Sequence, residues 1–387
     1  MKQGWEIKKL GEVCDKLTDG SHNPPQGILH SEYEMLSSQN VFNDKINHNG
    51  VRFLSYDDFV KEDKRTSVRD GDVLLTIVGT IGRCAVYTGN KNVTLQRSVA
   101  VIRPKESVLS RFLMYCFISK STLLNEGAHG IAQKGIYLRQ LGNILVPIPT
   151  IEEQERIVEE LDCLSGVIEK KREQLRELDT LAESIFYTMF GDPITNEKGW
   201  EVKTFGGEFD VSSGGTPDTK NNDYWADGSI SWIGSNMCQN AIIYQNDGKY
   251  ITDEGFEHSS AKMYNDGYVI VALVGATIGK SALLKFSTST NQNVAGINVP
   301  SNVNYTSEYV FYLIQNLYSL FQSIGNGKFK MANLSFIRSL PLPTPPISLQ
   351  QEFADKIEAI EKQKTLIKQS ITETETLFNA RMDYYFN

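Results

Sequence analysis

The sequence predicts an α+β protein: two repeated β-rich α/β units joined by two long helices that pair as an antiparallel coiled coil, with pseudo-twofold symmetry. Three features carry that expectation. The 387 residues are written twice at an offset near 195; each copy mixes short β-branched runs with Gly, Asn and Asp turns; and each copy closes on a Pro-x-Pro element followed by a heptad pattern. The expected boundaries are 1–150 and 199–346 for the repeated units, 151–198 for a central spacer helix and 347–387 for a C-terminal spacer helix.

The repeat is legible at matched positions. Gly4-Trp5-Glu6-Ile7-Lys8 returns as Gly199-Trp200-Glu201-Val202-Lys203, and Asp70-Gly71, an apolar run and Gly79 return as Asp266-Gly267, an apolar run and Gly275. Gln96 returns as Gln292, and Val146-Pro147-Ile148-Pro149-Thr150 as Leu340-Pro341-Leu342-Pro343-Thr344. Each half is too long for a solenoid unit of about 20–50 residues, so a whole domain has been duplicated with the helix behind it. Within each copy, Val73–Val78 and Val269–Val274 read as buried strands, and Phe112–Leu124 and Tyr309–Phe321 show helical spacing after them. The paired prolines then end the globular part, because proline neither donates to a ladder nor continues a helix.

Behind the prolines the pattern changes to steps of four and three. Ile157, Leu161, Leu164, Ile168, Lys171, Leu175, Leu178, Ala182, Ile185 and Met189 form the first seam. In the same register the second copy gives Phe353, Ile357, Ile360, Lys364, Ile367, Ile371, Thr374, Phe378, Arg381 and Tyr385. A period of 3.5 sustained over several heptads indicates a coiled coil rather than a helix on a broad core. A first helix that delivers the chain to the second unit lets the second helix return along it, so the pair is expected to be antiparallel. From Ile157 to Met189 the rise is roughly 48 Å, the length of about 14 base pairs.

Composition narrows the function classes. With 40% hydrophobic and 22% charged residues the chain is globular, and its apolar runs fall far short of the 18 or so residues of a membrane span. The start Met1-Lys2-Gln3-Gly4-Trp5-Glu6 has no signal-like apolar stretch, so no membrane association and a cytoplasmic location are expected. Five scattered cysteines without a C-x-x-C pair argue for reduced thiols and against a disulfide frame or zinc site. A net charge of −8 counts at face value against nucleic acid. Taken by segment it is +4 for 1–150, −7 for 151–198, −3 for 199–346 and −2 for 347–387, so the excess acid sits on the helices.

Loops of the repeated units carry the side-chain types that read DNA. Arg suits guanine, Asn and Gln suit adenine, and Lys neutralises phosphate. The first set is Ser21, His22, Asn23, Gln39, Asn40, Arg83, Gln96, Arg97, Gln133, Lys134 and Tyr137. The second is Gly215, Thr216, Ser235, Asn236, Lys280, Asn291, Gln292, Lys328 and Lys330. Their recurrence at matching offsets marks them as a set.

Catalytic motifs fail on detail, so no catalytic residue and no metal site are expected. Asn23-Pro24-Pro25-Gln26 echoes the N-P-P-aromatic element of adenine methyltransferases, but has Gln where the stacking aromatic belongs. Gly275-Ala276-Thr277-Ile278-Gly279-Lys280-Ser281 is one residue short of a phosphate-binding loop. Pro217-Asp218 with Asp247-Gly248-Lys249 is too loose a pattern for a metal nuclease, and the five histidines show no ligand spacing.

The whole chain resembles the specificity subunit of type I restriction–modification enzymes. Val146-Pro147-Ile148-Pro149-Thr150-Ile151-Glu152-Glu153-Gln154-Glu155-Arg156-Ile157 is similar to the family's P-L-P-x-x-E-Q-x-x-I junction, and Met189-Phe190-Gly191-Asp192-Pro193 to the end of its central region. The second junction, Pro345-Pro346-Ile347-Ser348-Leu349-Gln350-Gln351-Glu352, lacks the E-E-Q. The resemblance implies a non-catalytic subunit whose two target-recognition domains each read one half of a bipartite, asymmetric site on double-stranded DNA. The helices would set the gap and dock two methyltransferase subunits, with restriction subunits outside. No cofactor is expected on this chain; S-adenosylmethionine and ATP with Mg would belong to the partners. A stand-alone nuclease or methyltransferase and a coiled-coil scaffold that ignores DNA are the rival classes.

Overall fold

The structure is a computed structural model and describes residues 4–89, 91–126, 135–300, 304–324 and 331–386. It divides into two compact units, one of residues 1–172 with 369–387 and the other of residues 173–368. Each unit therefore takes a repeated domain, part of the central helix Ile151–Phe190 and part of the C-terminal helix Ile347–Phe386.

In the amino-terminal unit an antiparallel sheet runs in the order Cys14–Asp19, Val99–Pro104, Val73–Thr76, Cys84–Val86. Val73-Leu74-Leu75 is buried on both faces, which explains its unbroken apolar run. Val73 and Leu75 face the helix Ser110–Ser119. Leu74, Val99 and Val101 face a second sheet, in which Tyr33–Leu36 runs parallel to Asn92–Leu95 and antiparallel to Arg52–Phe53.

The carboxy-terminal unit repeats the plan. Its main sheet runs Val211–Ser213, Val294–Ile297, Val269–Ala272, Ser281–Leu284, with Ala241–Ile243 added in parallel at the edge. Val269 and Val271 face the helix Ser307–Asn316, while Ile270 and Ala272 face the second sheet, where Ile230–Ile233 lies parallel to Thr288–Thr290.

Two expectations are corrected in detail. The helical runs expected over Phe112–Leu124 and Tyr309–Phe321 are each broken, into Ser110–Ser119 and Ser121–Glu126, and into Ser307–Asn316 and Tyr318–Gln322. The prolines stand inside the last ribbon of each domain rather than outside any ladder: Leu145–Ile148 pairs with Glu6–Lys9 and Pro341–Pro343 with Val202–Thr204, and the long helices start directly after them. A two-stranded ribbon accommodates proline because each strand has a free edge for the residue that lacks an N–H.

The heptad seams are buried or half-buried at every position described above. In the amino-terminal unit the helices run antiparallel, since Glu160 pairs with Arg381 and Lys171 with Ser370. The seam then runs into the domain core: Ile157, Leu161, Met382, Tyr385 and Phe386 pack with Phe112 and Leu113. In the carboxy-terminal unit Lys364 meets Asp179 at 2.8 Å and Phe186 packs on Phe353, again antiparallel. Phe186, Phe190, Phe353 and Ile357 join the core around Tyr309 there. Every cation in the seam has a partner: Lys171 bonds Ser370 and Thr374, Lys364 bonds Glu361 and Asp179, and Arg381 bonds Glu160. A buried charge so paired avoids the desolvation penalty of an orphan.

Each helix is tied to its domain by one glutamine. Gln154 is fully buried; its Oε1 accepts from Leu109 N at 2.8 Å and its Nε2 donates to the carbonyls of Ser107 and Pro149. Gln350 repeats this with Thr306 N at 3.0 Å and the carbonyls of Asn304 and Pro345. The altered second junction thus keeps the residue that makes the attachment.

Candidate nucleic-acid interface

The topology gathers the candidate loops at one end of each sheet pair. In the amino-terminal unit the chain leaves Cys14–Asp19 and crosses onto the neighbouring sheet, where Ser21 N donates to Leu95 O at 2.8 Å and Ser21 bridges Gln96. This crossing needs glycine at position 20, since a Cβ there would stand 2.0 Å from the Leu95 carbonyl oxygen. Gln96 N donates to Leu36 O, which brings the loop after Tyr33–Leu36 to the same place. Ser38 N donates to Ser98 Oγ, Thr80 Oγ1 to Ser38 O, and Val78 bridges Gly135. Five loops, at 20–23, 37–40, 78–80, 96–98 and 135–137, therefore converge.

The carboxy-terminal unit makes the same crossing. Gly215 N donates to Thr290 O at 2.8 Å, and a Cβ on Gly214 would lie 2.2 Å from that oxygen. Asn291 N donates to Ile233 O, Leu273 N to Asn293 O, and Val274 bridges Met331. The loops at 214–216, 234–236, 274–277, 291–293 and 331–333 meet as their counterparts do.

The side chains at these ends take different roles. In the amino-terminal unit a polar cleft of about 520 Å³ is lined by Gln39, Asn40, Gln96 and Arg97 together with Ser37, Ser38, Ser98 and Arg52. Gln39 and Arg97 are exposed and Gln96 half-buried. Asn40 is only 2% exposed: its Oδ1 accepts from Ser37 N and its Nδ2 donates to the carbonyls of Asn47 and Asn49, so it braces the loop and presents no reading group. Ser21 is buried, whereas His22 and Asn23 are exposed, with His22 Nε2 2.8 Å from Asp19 Oδ2. Arg83 lies over the Phe42 ring at 5.0 Å, outside the cleft lining. Tyr137 is exposed at the start of a short helix.

In the carboxy-terminal unit Gly215 is buried and Thr216 Oγ1 donates to Gln292 Oε1, linking two candidate loops. Asn236 is exposed and donates to Asp247, Lys280 donates to Gln239, Asn291 accepts from Asn293 N, and Ser235 is half-buried. Gln133, Lys134, Lys328 and Lys330 lie outside the described residues.

Buried carboxylates steady the amino-terminal end. Asp19 accepts from Arg65 and meets His22. Glu34 sits between Lys91 at 2.7 Å and His48; burial pushes its carboxyl up, but the hydrogen bonds from Lys91 and His48 outweigh this and hold it below the ordinary carboxylate range. Burial pushes the Cys14, Cys116 and Cys238 thiols up to about 12, which leaves them unreactive packing groups. Among the described residues no group of three or more His, Cys, Asp or Glu is placed to hold a metal ion. Gly275–Thr277 is one short turn that leads into the strand Ser281–Leu284, so the near-match to a phosphate-binding loop has no helix behind it.

Ser38, which belongs to the candidate loop Ser38-Gln39-Asn40, also lines the cleft, and Arg52, Ser37 and Ser98 complete it without having been legible as candidates. Serine carries no base-specific donor and acceptor pair of the Asn, Gln or Arg kind, and Arg52 sits on a two-residue strand. Gln154 and Gln350 could have been found, because they stand at the same 196-residue offset as the seams.

Comparison with known proteins agrees with this geometry. The sequence profile described as the type I restriction modification DNA specificity domain matches residues 2–179 and again 197–376. The type I restriction enzyme MjaIX specificity subunit of Methanocaldococcus jannaschii is 24% identical over 92% of this chain and 86% of its own length. The EcoBI specificity subunit of Escherichia coli is 34% identical over 34% of this chain and 29% of its own. The fold is that of the type I S subunit from M. genitalium, at a TM-score of 0.55, 13% identity and coverage of 98% of this chain and 95% of that one. Two profile matches that span nearly all of the chain, on a fold that gathers equivalent loops in both copies, establish that the protein belongs to the family of type I restriction–modification DNA specificity subunits.

Proposed function

We propose that each unit reads one half of a bipartite, asymmetric DNA site, and that the paired helices fix the unread gap and dock two methyltransferase subunits. What carries the reading is the convergence of equivalent backbone loops with different side chains at the same end of both sheet pairs. Equivalent backbone gives two readers of one design, and different side chains give two different half-sites. Exposed Gln39 and Arg97 in one unit and exposed Asn236 and Gln292 in the other are the groups we assign to base edges.

In this reading the chain is non-catalytic. S-adenosylmethionine belongs to the methyltransferase partners, and ATP with Mg to restriction subunits that join the complex. The expected result on co-expression with a methyltransferase subunit is methylation at two short motifs a fixed distance apart, mapped by sequencing of modified bases. Deleting one heptad from each helix shortens the gap by roughly three base pairs and leaves both half-sites intact. An unchanged gap refutes the spacer role, and methylation by the purified chain alone with S-adenosylmethionine refutes the non-catalytic one.

A further inference from the structure

Beside the cleft of the amino-terminal unit stands a loop with an unusual tip. Leu29 is 100% exposed and its neighbour Ile28 is 45% exposed. Isolated apolar side chains on a surface need no special account. This one is held out by a braced backbone. Pro24 and Pro25 fix φ on the way in; Arg52 Nη1 donates to Pro25 O at 2.7 Å, Ile28 N donates to Phe53 O at 2.9 Å, and His30 stands edge-on to the Phe53 ring with centroids 5.0 Å apart.

Two further observations say what meets the tip. Arg52, which braces the loop, also lines the candidate reading cleft with Gln96 and Arg97, so tip and cleft belong to one continuous surface. The chain between Asp19 and Glu32 contains no acidic residue, which suits a polyanion. The corresponding stretch of the other unit is built differently: it carries Asp218, Asp223 and Asp227 and no leucine, isoleucine or valine, and its Trp225 is turned inward, bonded to Asp218 O and packed on Trp232.

We propose that Leu29 is an apolar wedge that enters the base stack of duplex DNA at a step beside the half-site read by the amino-terminal unit. The proposal rests on the DNA-reading function proposed above. A leucine or isoleucine inserted between base pairs partly unstacks them and bends the duplex, and a tip already fixed in its bound shape loses little entropy on entry. The other unit, with no leucine, isoleucine or valine in that loop, makes no such insertion.

The test uses the complete complex with methyltransferase subunits and a duplex carrying its mapped methylation site, with 2-aminopurine substituted at one position at a time. The expected result is a fluorescence rise at one step flanking the first half-site that disappears in Leu29→Ala and returns in Leu29→Phe. Affinity for the duplex should fall on the order of tenfold in Leu29→Ala, with the mass of the complex unchanged. Because Leu29 is wholly exposed, the substitution leaves folding intact. If no position of the target responds to Leu29→Ala while the complex still methylates it, the wedge is wrong and the reading function stands. If Leu29→Ala sheds methyltransferase subunits, the tip is a protein contact and the proposal falls. If the wild-type complex selects no sequence at all, the reading function itself fails and the wedge with it.

Discussion

At the strand position where the amino-terminal unit buries Glu34 between Lys91 and His48, the carboxy-terminal unit carries Ser231, hydrogen-bonded to Thr288 at 2.8 Å. Where the helix Ser110–Ser119 has Arg111, clamped to Asp44 and Asp162, the equivalent helix Ser307–Asn316 has Glu308, which accepts from Lys285 at 3.0 Å. Yet Gly20 and Gly214 make the same crossing, and Gln154 and Gln350 the same three bonds. The crossing and the anchor, which engage backbone, are thus common to both units, while these two side-chain pairings differ between them. A backbone contact depends on the path of the chain, which both units share; a side-chain pair has to be matched only to itself.

The sharpest way to break this division is at the glycines. Gly20→Ala and Gly214→Ala each force a Cβ into a strand carbonyl and should destabilise by about 3 kcal/mol or more, measured by thermal or denaturant unfolding. Should only one of the pair tolerate alanine, the crossings are not equivalent. A smaller effect is expected at the glutamines. Gln154→Leu and Gln350→Leu each orphan a buried N–H and two carbonyls and should cost about 2–3 kcal/mol, similar in the two units. The smallest effect distinguishes the units. Because Glu34 is held below the ordinary carboxylate range, the stability it confers is full above about pH 4.5 and is lost as pH falls through its folded pKa. Glu34→Gln should flatten the acid limb of unfolding temperature against pH, and Ser231→Ala should leave that limb unchanged.

The duplication, the strands at Val73 and Val269 and both seams were legible because they repeat or keep a strict period. The helix breaks near Lys120 and Leu317 were not, since apolar spacing continues across them. Nor was the inclusion of Pro147 and Pro341 in ribbons, because a strand partner more than 130 residues away leaves no local trace. For the interface, residue type and offset found loops that do converge, including Gln39, Gln96 and Arg97 in one cleft. They misjudged Asn40, whose amide is consumed by its own loop, because the chemistry that would read adenine serves equally well to cap a turn. Arg52 escaped notice since its importance comes from three-dimensional neighbours alone.

The glutamine anchors carry a consequence for how such a protein can change. Since all three partners of each anchor are main-chain groups, the socket that holds a helix recognises a shape and is indifferent to spelling. A foreign domain that presents the same two carbonyls and one amide would plug in, whatever letters its loops carry. Exchange of one domain between relatives should therefore keep the glutamine anchor, and only the side-chain contacts of the helix with the domain core, such as Ile157 and Leu161 on Phe112 and Asp162 on Arg111, have to match for the chimera to fold.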